Sequence, residues 1–245
     1  MTYNIRLDVT SDGVNMWSNR KEKLPALIAK YDPDLVGLQE AMHHQLMEIL
    51  KALPQYGYIG VARDDGKEKG EYSAILYKKD RFEVESNKTT WLSETPEIAG
   101  SKSWDAAITR VLTRGIFIDK ISKKKFIYFN THFDHIGKEA RKNSAKIIVE
   151  EIKKQSLPTI VTGDFNSQVN EDPYKVISAA ITDARPAEST QGTFCTFFVN
   201  GQPCTLIDHI FYSKFRSSDY KVITDNDGTY YPSDHLPVMT TLTFD

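Results

Sequence analysis

Two hydrophobic periods alternate along the chain. Leu24, Leu27, Ile28 and Tyr31 recur at helical spacing and predict a helix over residues 18–30, broken by Asp32-Pro33-Asp34. A continuous apolar run over 35–40 then reads as a buried strand ending in an acid, Glu40. A second helix carries Leu46, Ile49, Leu50 and Leu53 and closes at Pro54. Strands are predicted at 58–61, 73–78, 82–90, 112–119 and 125–132, with Ser122-Lys123-Lys124-Lys125 as a solvated turn between the last two. Ala145, Ile148, Val149 and Ile152 mark one face of a long helix over 138–154. A β-branched run from Thr159 stops at Gly163, a short helix follows Pro173, and strands return at 192–199, 205–212, 220–224 and 237–244. Helices interrupt the strands early and thin out later, without repeats or linkers. The pattern predicts an α/β fold with two sheets packed face to face and helices outside, in one domain over 1–245.

Composition changes this picture little. Lys+Arg 31 against Asp+Glu 33 leaves a formal net charge of -2, so no global positive field draws the protein onto nucleic acid. No apolar stretch reaches the ~18 residues that a membrane span requires. A core strand already begins at Met1-Thr2-Tyr3-Asn4-Ile5-Arg6. Upstream sequence is therefore expected to have been trimmed, an export signal included, which favours a periplasmic or secreted setting. A monomer is expected. Cys195 and Cys204 flank Asn200-Gly201, a hairpin turn signal, and both a disulfide and a pair of buried thiols fit that spacing. No CxxC or close Cys/His spacing points to zinc.

Polar residues gather where strands end. Asn4 and Arg6 alternate onto one face, and Glu40 closes an apolar run. Asn130-Thr131-His132-Phe133-Asp134-His135, Gly163-Asp164-Phe165-Asn166, Leu206-Ile207-Asp208-His209 and Ser233-Asp234-His235 complete the set. In extended chain, Asp164 and Asn166 face the same way while Phe165 anchors the turn in the core. Each has a plain structural alternative: a surface acid, a core histidine, a turn cap. Clustering of acids and histidines at strand termini is what those alternatives do not predict.

The GDFN and SDH motifs, with Asn4 and Glu40 ahead of them in order, resemble the endonuclease/exonuclease/phosphatase superfamily that includes DNase I. Arg63-Asp64-Asp65-Gly66 and Trp91-Leu92-Ser93-Glu94-Thr95-Pro96 are similar to a bacterial branch of it. The resemblance implies a DNase I-like four-layer α/β sandwich of two mainly antiparallel sheets. It also implies phosphoester hydrolysis by in-line attack of an activated water, with Mg2+ or Mn2+. Glu40 would be the main metal carboxylate, with Asn4 and Asp234 nearby. Asp164 would hold or deprotonate the water, and Asn166 would donate to the phosphoryl oxygen. His235, backed by Asp208, would contact the phosphate or act as base, and His132 would bind the phosphate from the other side. Glu71 would pair with His132 as in DNase I, and Arg110 would either fork onto a phosphate or form a surface salt bridge. Arg6 matches the Asn-Ile-Arg of DNase I, which disfavours an abasic-site repair role. A hard cation among oxygen ligands neutralises the charge that makes phosphodiesters so resistant to attack.

A phosphoesterase for a small, lipid-linked or sugar-linked substrate is the leading expectation. A nuclease is the alternative, with Trp17, Arg20, Lys21, Arg63, Lys67 and Lys69 as its rim, and salt-sensitive binding would mark it. A non-catalytic scaffold would have lost Glu40, Asp164 or His235, and all three are present.

Overall fold

A computed structural model describes residues 1–199, 201 and 203–245. Its elements, in chain order, are β1 (Thr2–Asn4), α1 (Lys23–Tyr31), β2 (Leu35–Gln39), α2 (His43–Ala52), β3 (Tyr56–Ile59), β4 (Ile75–Lys78), β5 (Phe82–Trp91) and β6 (Val111–Asp119). There follow β7 (Lys125–His132), α3 (Lys138–Lys153), β8 (Thr159–Asp164), α4 (Asp172–Ser178), β9 (Thr182–Asp183), β10 (Asp208–Ser213), β11 (Phe215–Val222) and β12 (Val238–Phe244). They form two six-stranded sheets, ordered β11-β12-β1-β2-β4-β3 and β5-β6-β7-β8-β10-β9. Each sheet has one parallel pair, β1 with β2 and β7 with β8, and the remaining pairs are antiparallel.

Apolar faces of α1 and α2 cover the first sheet, through Leu24, Leu27, Ile28, Leu46 and Ile49. Those of α3 and α4 cover the second, through Ala145, Ile148, Val149 and Ile177. The four layers follow from these two stripes. Between the sheets the filling changes from one end to the other. One half is aromatic and aliphatic, with Ile75, Phe82, Phe117, Phe126, Tyr128 and Ile160. The other half is a buried polar tie. Asn130 on β7 donates to the Leu38 and Ala74 carbonyls of the facing sheet at 2.8 and 2.9 Å. Its own oxygen accepts from Gln39 Nε2 at 2.7 Å and Thr162 Oγ1 at 2.9 Å. Gly37 permits this approach, since a Cβ there would lie 2.3 Å from Thr162 Oγ1 and 2.4 Å from Asn130 Oδ1.

Four local expectations change. The helix expected over 18–30 is a 3-10 turn, Trp17–Asn19, followed by α1, because the Arg20 side chain takes up nearby carbonyls instead of lying along a helix. Residues 192–199 form no strand among those described. Phe194 instead bridges both Thr205 and His235, and Thr196 turns left-handed at φ 61. Strand β10 starts at Asp208 rather than 205, and β11 starts at Phe215 rather than 220, passing a bulge between Ser218 and Lys221. Cys195 and Cys204 are joined in a disulfide; Asn200 of the expected hairpin turn lies outside the described residues. Among the described residues no helix is long and apolar enough to cross a membrane.

Candidate active site

The polar half of the sandwich opens at one edge, where β1, β2, β7 and β8 end and β10 begins. Register brings the acids together: His132 is the parallel partner of Asp164, and Asp208 is its antiparallel partner. The chain turns sharply just past three of these strands, and three non-glycine residues there sit at positive φ: Arg6 (57), Glu40 (60) and Asn166 (45). Left-handed backbone is unfavourable for residues with a Cβ, and such strain concentrates at functional sites.

Asn4, at the end of β1, is wholly buried and works as a fork. Its Nδ2 donates to Glu40 Oε1 and to Asp164 Oδ2, both at 3.0 Å. Its Oδ1 accepts from the Arg6 backbone N–H at 3.0 Å, which fixes the amide orientation. Asn4 thus offers nitrogen, not oxygen, to the carboxylates. Glu40 Oε2 also accepts from Leu7 N–H at 3.1 Å. Arg6 pairs with Asp12 through two nitrogens at 2.9 and 2.8 Å and lies 3.9 Å from Glu40 and 3.8 Å from Asp234. Arg6 is held by acids here. Ser233 Oγ donates to the Asn4 carbonyl at 2.8 Å and to Asp234 Oδ1 at 3.3 Å, tying the SDH loop to β1.

Asp164 is the hub. It accepts from the Asn166 N–H at 2.9 Å, and its Oδ2 lies 3.3 Å from His132 Nε2 and 3.7 Å from His235 Nε2. Phe165, fully buried against Phe133 and Phe211, pins the turn between Asp164 and Asn166. Asn166 Nδ2 reaches His132 Nε2 at 3.1 Å and the Phe133 carbonyl at 3.0 Å. His235 gives Nδ1 to Asp208 Oδ2 at 2.8 Å and packs against Phe194, ring centres 4.9 Å apart and planes inclined at 45°. Asp208 Oδ1 has no partner among the described residues.

Charge at this edge is redistributed by burial. Desolvation, then the Asp208 charge, pushes the Asp164 carboxyl up to about 7. Burial alone would lower His235, yet the Asp208 and Asp164 carboxylates together push it up to about 10. His132 falls well below its ordinary value, through burial and then the nearby Arg110 and Arg63 guanidiniums. Burial raises Glu71 and Asp234 and lowers Arg110.

Glu71 lies 3.9 Å from His132 Nδ1, with Arg63 Nη1 closer at 2.7 Å. Arg110 is buried, its Nη2 3.4 Å from His135 Nδ1 and its charge felt at His132. In the sequence Arg63 stands out as a rim cation and as the first residue of Arg63-Asp64-Asp65-Gly66; nothing there links it to Glu71. Nor does the sequence mark Phe194 over His235, since the contact crosses an irregular loop. The expected nuclease rim loses two members: Trp17 and Arg20 are both buried. Arg20 clasps the Ile5, Asn15 and Pro232 carbonyls at 2.8, 2.6 and 3.0 Å.

A four-layer sandwich whose facing sheets both end in acids and imidazoles belongs to the DNase I-like phosphoester hydrolases. The model for the Endonuclease/Exonuclease/phosphatase family matches residues 1–235, and the chain belongs to that family. A crystal structure of a family member from Bacteroides thetaiotaomicron superposes with TM-score 0.95 at 39% identity, covering 100% of this chain and 96% of that one. A mannosyl-6-phosphatase from the same species gives TM-score 0.93 at 38% identity, covering 99% and 98%. Protein L388 of Acanthamoeba polyphaga mimivirus is 32% identical over 164 residues, which is 63% of this chain and 60% of the viral protein.

Proposed function

We infer that the chain is a divalent-metal-dependent phosphoesterase. The observation that carries this reading is one cluster: carboxylate oxygens of Glu40 and Asp164 and a ring nitrogen of His235 all lie within 4.8 Å of one another, the carboxylates as oxygen donors and the cationic His235 beside them. The donors fit Mg2+ or Mn2+. Two are carboxylates, whose hard oxygens suit those ions, and Asn4 holds both at a fixed spacing. Glu40 would hold the ion, with Asp234 across Arg6 as a further carboxylate and Asp164 beside it to hold the water. A bound cation would offset charge developing on the phosphoryl oxygens.

The chain's own groups account for the remaining chemistry. Asp164, raised by burial, orients the attacking water and takes its proton. His235, kept cationic by Asp208, donates to a phosphoryl oxygen from Nε2. Asn166 Nδ2 and His132 approach from the opposite side. Water attacks phosphorus in line, the P–O bond to the leaving group breaks, and the departing oxygen takes up a proton from solvent water. Similarity to a mannosyl-6-phosphatase supports a phosphorylated sugar as substrate.

A panel of p-nitrophenyl phosphate, bis-p-nitrophenyl phosphate, single-stranded RNA and plasmid DNA, each with Mg2+, Mn2+ or chelator, tests the reading. Turnover should need the metal, and Asp164→Asn or His235→Ala should each lower it about 10³-fold or more while circular dichroism is retained. Turnover that persists in chelator, or in either variant, would overturn the assignment.

A further inference from the structure

Two guanidiniums stand on the His132 side of the centre, apart from the Glu40–Asp164–His235 cluster. Arg110 is 5% exposed, and neither its Nε nor its Nη1 has a hydrogen-bond partner among the described residues. A buried guanidinium cannot shed its charge, so bare donors on it are costly unless something else fills them. Arg63 commits Nη1 to Glu71 at 2.7 Å, while its Nε is also buried and unpartnered. Arg63 is linked to the hub through Glu71 and His132. Glu71 Oε2 lies 3.9 Å from His132 Nδ1, and His132 Nε2 lies 3.3 Å from Asp164 Oδ2.

The charges on that side do not balance. Two permanent cations face one buried carboxylate, Glu71, with the more exposed Asp64 3.8 Å from Arg63 Nε, whereas the opposite side carries Glu40, Asp164, Asp208, Asp234 and Asp12 against Arg6, Arg20 and His235. A diester brings a single negative charge. A terminal phosphate, with its second pKa near about 6, brings close to two, along with another acceptor oxygen. A guanidinium fork matches that oxygen pair in shape as well as in charge.

We propose that Arg63 and Arg110 receive the second charge of a phosphomonoester, so that the site selects terminal phosphates over diesters. Arg63 is the specificity-determining member, and Glu71 aims it. The proposal rests on the phosphoesterase reading. A merely structural Arg63, present to neutralise Glu71, is its competitor.

The test compares wild type, Arg63→Met and Arg63→Lys on p-nitrophenyl phosphate and bis-p-nitrophenyl phosphate with Mg2+. Wild type should favour the monoester by at least about tenfold in kcat/KM, and Arg63→Met should shrink that ratio by at least about tenfold, chiefly through KM. Arg63→Lys keeps the charge and the partner for Glu71 but loses the fork, so it should fall between them. It also carries the test if Arg63→Met does not fold. Equal losses on both substrates would assign Arg63 a structural role, and a wild-type preference for the diester would overturn the proposal outright. Calorimetric titration with inorganic phosphate and with dimethyl phosphate separates the two readings. Loss of selective phosphate binding in Arg63→Met upholds the proposal even if no substrate turns over, whereas unchanged selectivity refutes it even in an active enzyme.

Discussion

His235 and Asp208 are the pair whose behaviour depends most on each other. Their 2.8 Å contact is buried, and together with the Asp164 charge it outweighs the burial that would otherwise lower the imidazole. The folded value near 10 lies above the ordinary 6.5, so the protonated form is favoured by folding. The sign follows: this contribution is complete below about 6.5 and disappears as pH rises through about 10. In chelator, the wild type should therefore lose stability steadily between those limits. Asp208→Asn should show a flatter profile in the same window, together with a fall in turnover of up to about 10⁴-fold by analogy with other acid–histidine pairs. Urea midpoints measured across that range check the prediction, and parallel profiles would remove Asp208 as the cause. Residues of this kind were legible in the sequence because acids and histidines at strand ends have few structural uses. Asn4 was legible by position only. Which end of its amide meets the carboxylates depends on the Arg6 N–H, a backbone detail that no residue type encodes.

Elements with a strong period were legible and those shaped by side-chain capture were not. Strand β7 spans the expected residues, and α3 ends one residue early, because its apolar positions repeat without interruption. The failures share a cause. At Arg20 and at Phe194, one side chain bonds to or packs on a distant segment and overrides the local pattern. The loop before α3 shows the same physics working in favour of order. Asp134 accepts four backbone N–H groups, from Ala107 and Ile108 on one oxygen and from Ile136 and Gly137 on the other. Arg141, from the first turn of α3, holds its carbonyl. An amide in its place presents one acceptor and one donor, leaving two N–H groups facing N–H. At ~1–3 kcal/mol for each unsatisfied buried group, Asp134→Asn should cost about 2–6 kcal/mol. It should also loosen the 105–110 segment that delivers Arg110. Denaturant unfolding measures the first effect, and faster amide exchange at Ala107 and Ile108 the second. Wild-type values for both would mean the loop is ordered by other contacts.

At the scale of the whole molecule, the centre is split between the sheets. Asn4 and Glu40 come from one, Asp164, His132 and Asp208 from the other, and β12 of the first follows the loop with Asp234 and His235. Nothing local joins them, which is why sheet order and the polar tie were invisible to a reading by segments. Asn130 spans the gap with three hydrogen bonds, to Gln39 and to the Leu38 and Ala74 carbonyls, directly beneath the site, and is braced within its own sheet by Thr162. If that tie sets the spacing between Glu40 and Asp164, damage to it should differ in kind from damage to the apolar half. Asn130→Leu strips partners from Gln39 and from two carbonyls, at a cost of about 3–5 kcal/mol. Ile160→Ala empties space in the apolar half, at a similar ~2–5 kcal/mol. With both variants assayed at a temperature where each remains folded, Ile160→Ala should keep kcat/KM within about threefold. Asn130→Leu should lose about 10²-fold, the penalty expected when reacting groups shift by about 1 Å. Matching activities would mean that the sheets hold their spacing through bulk packing, with Asn130 only filling the gap.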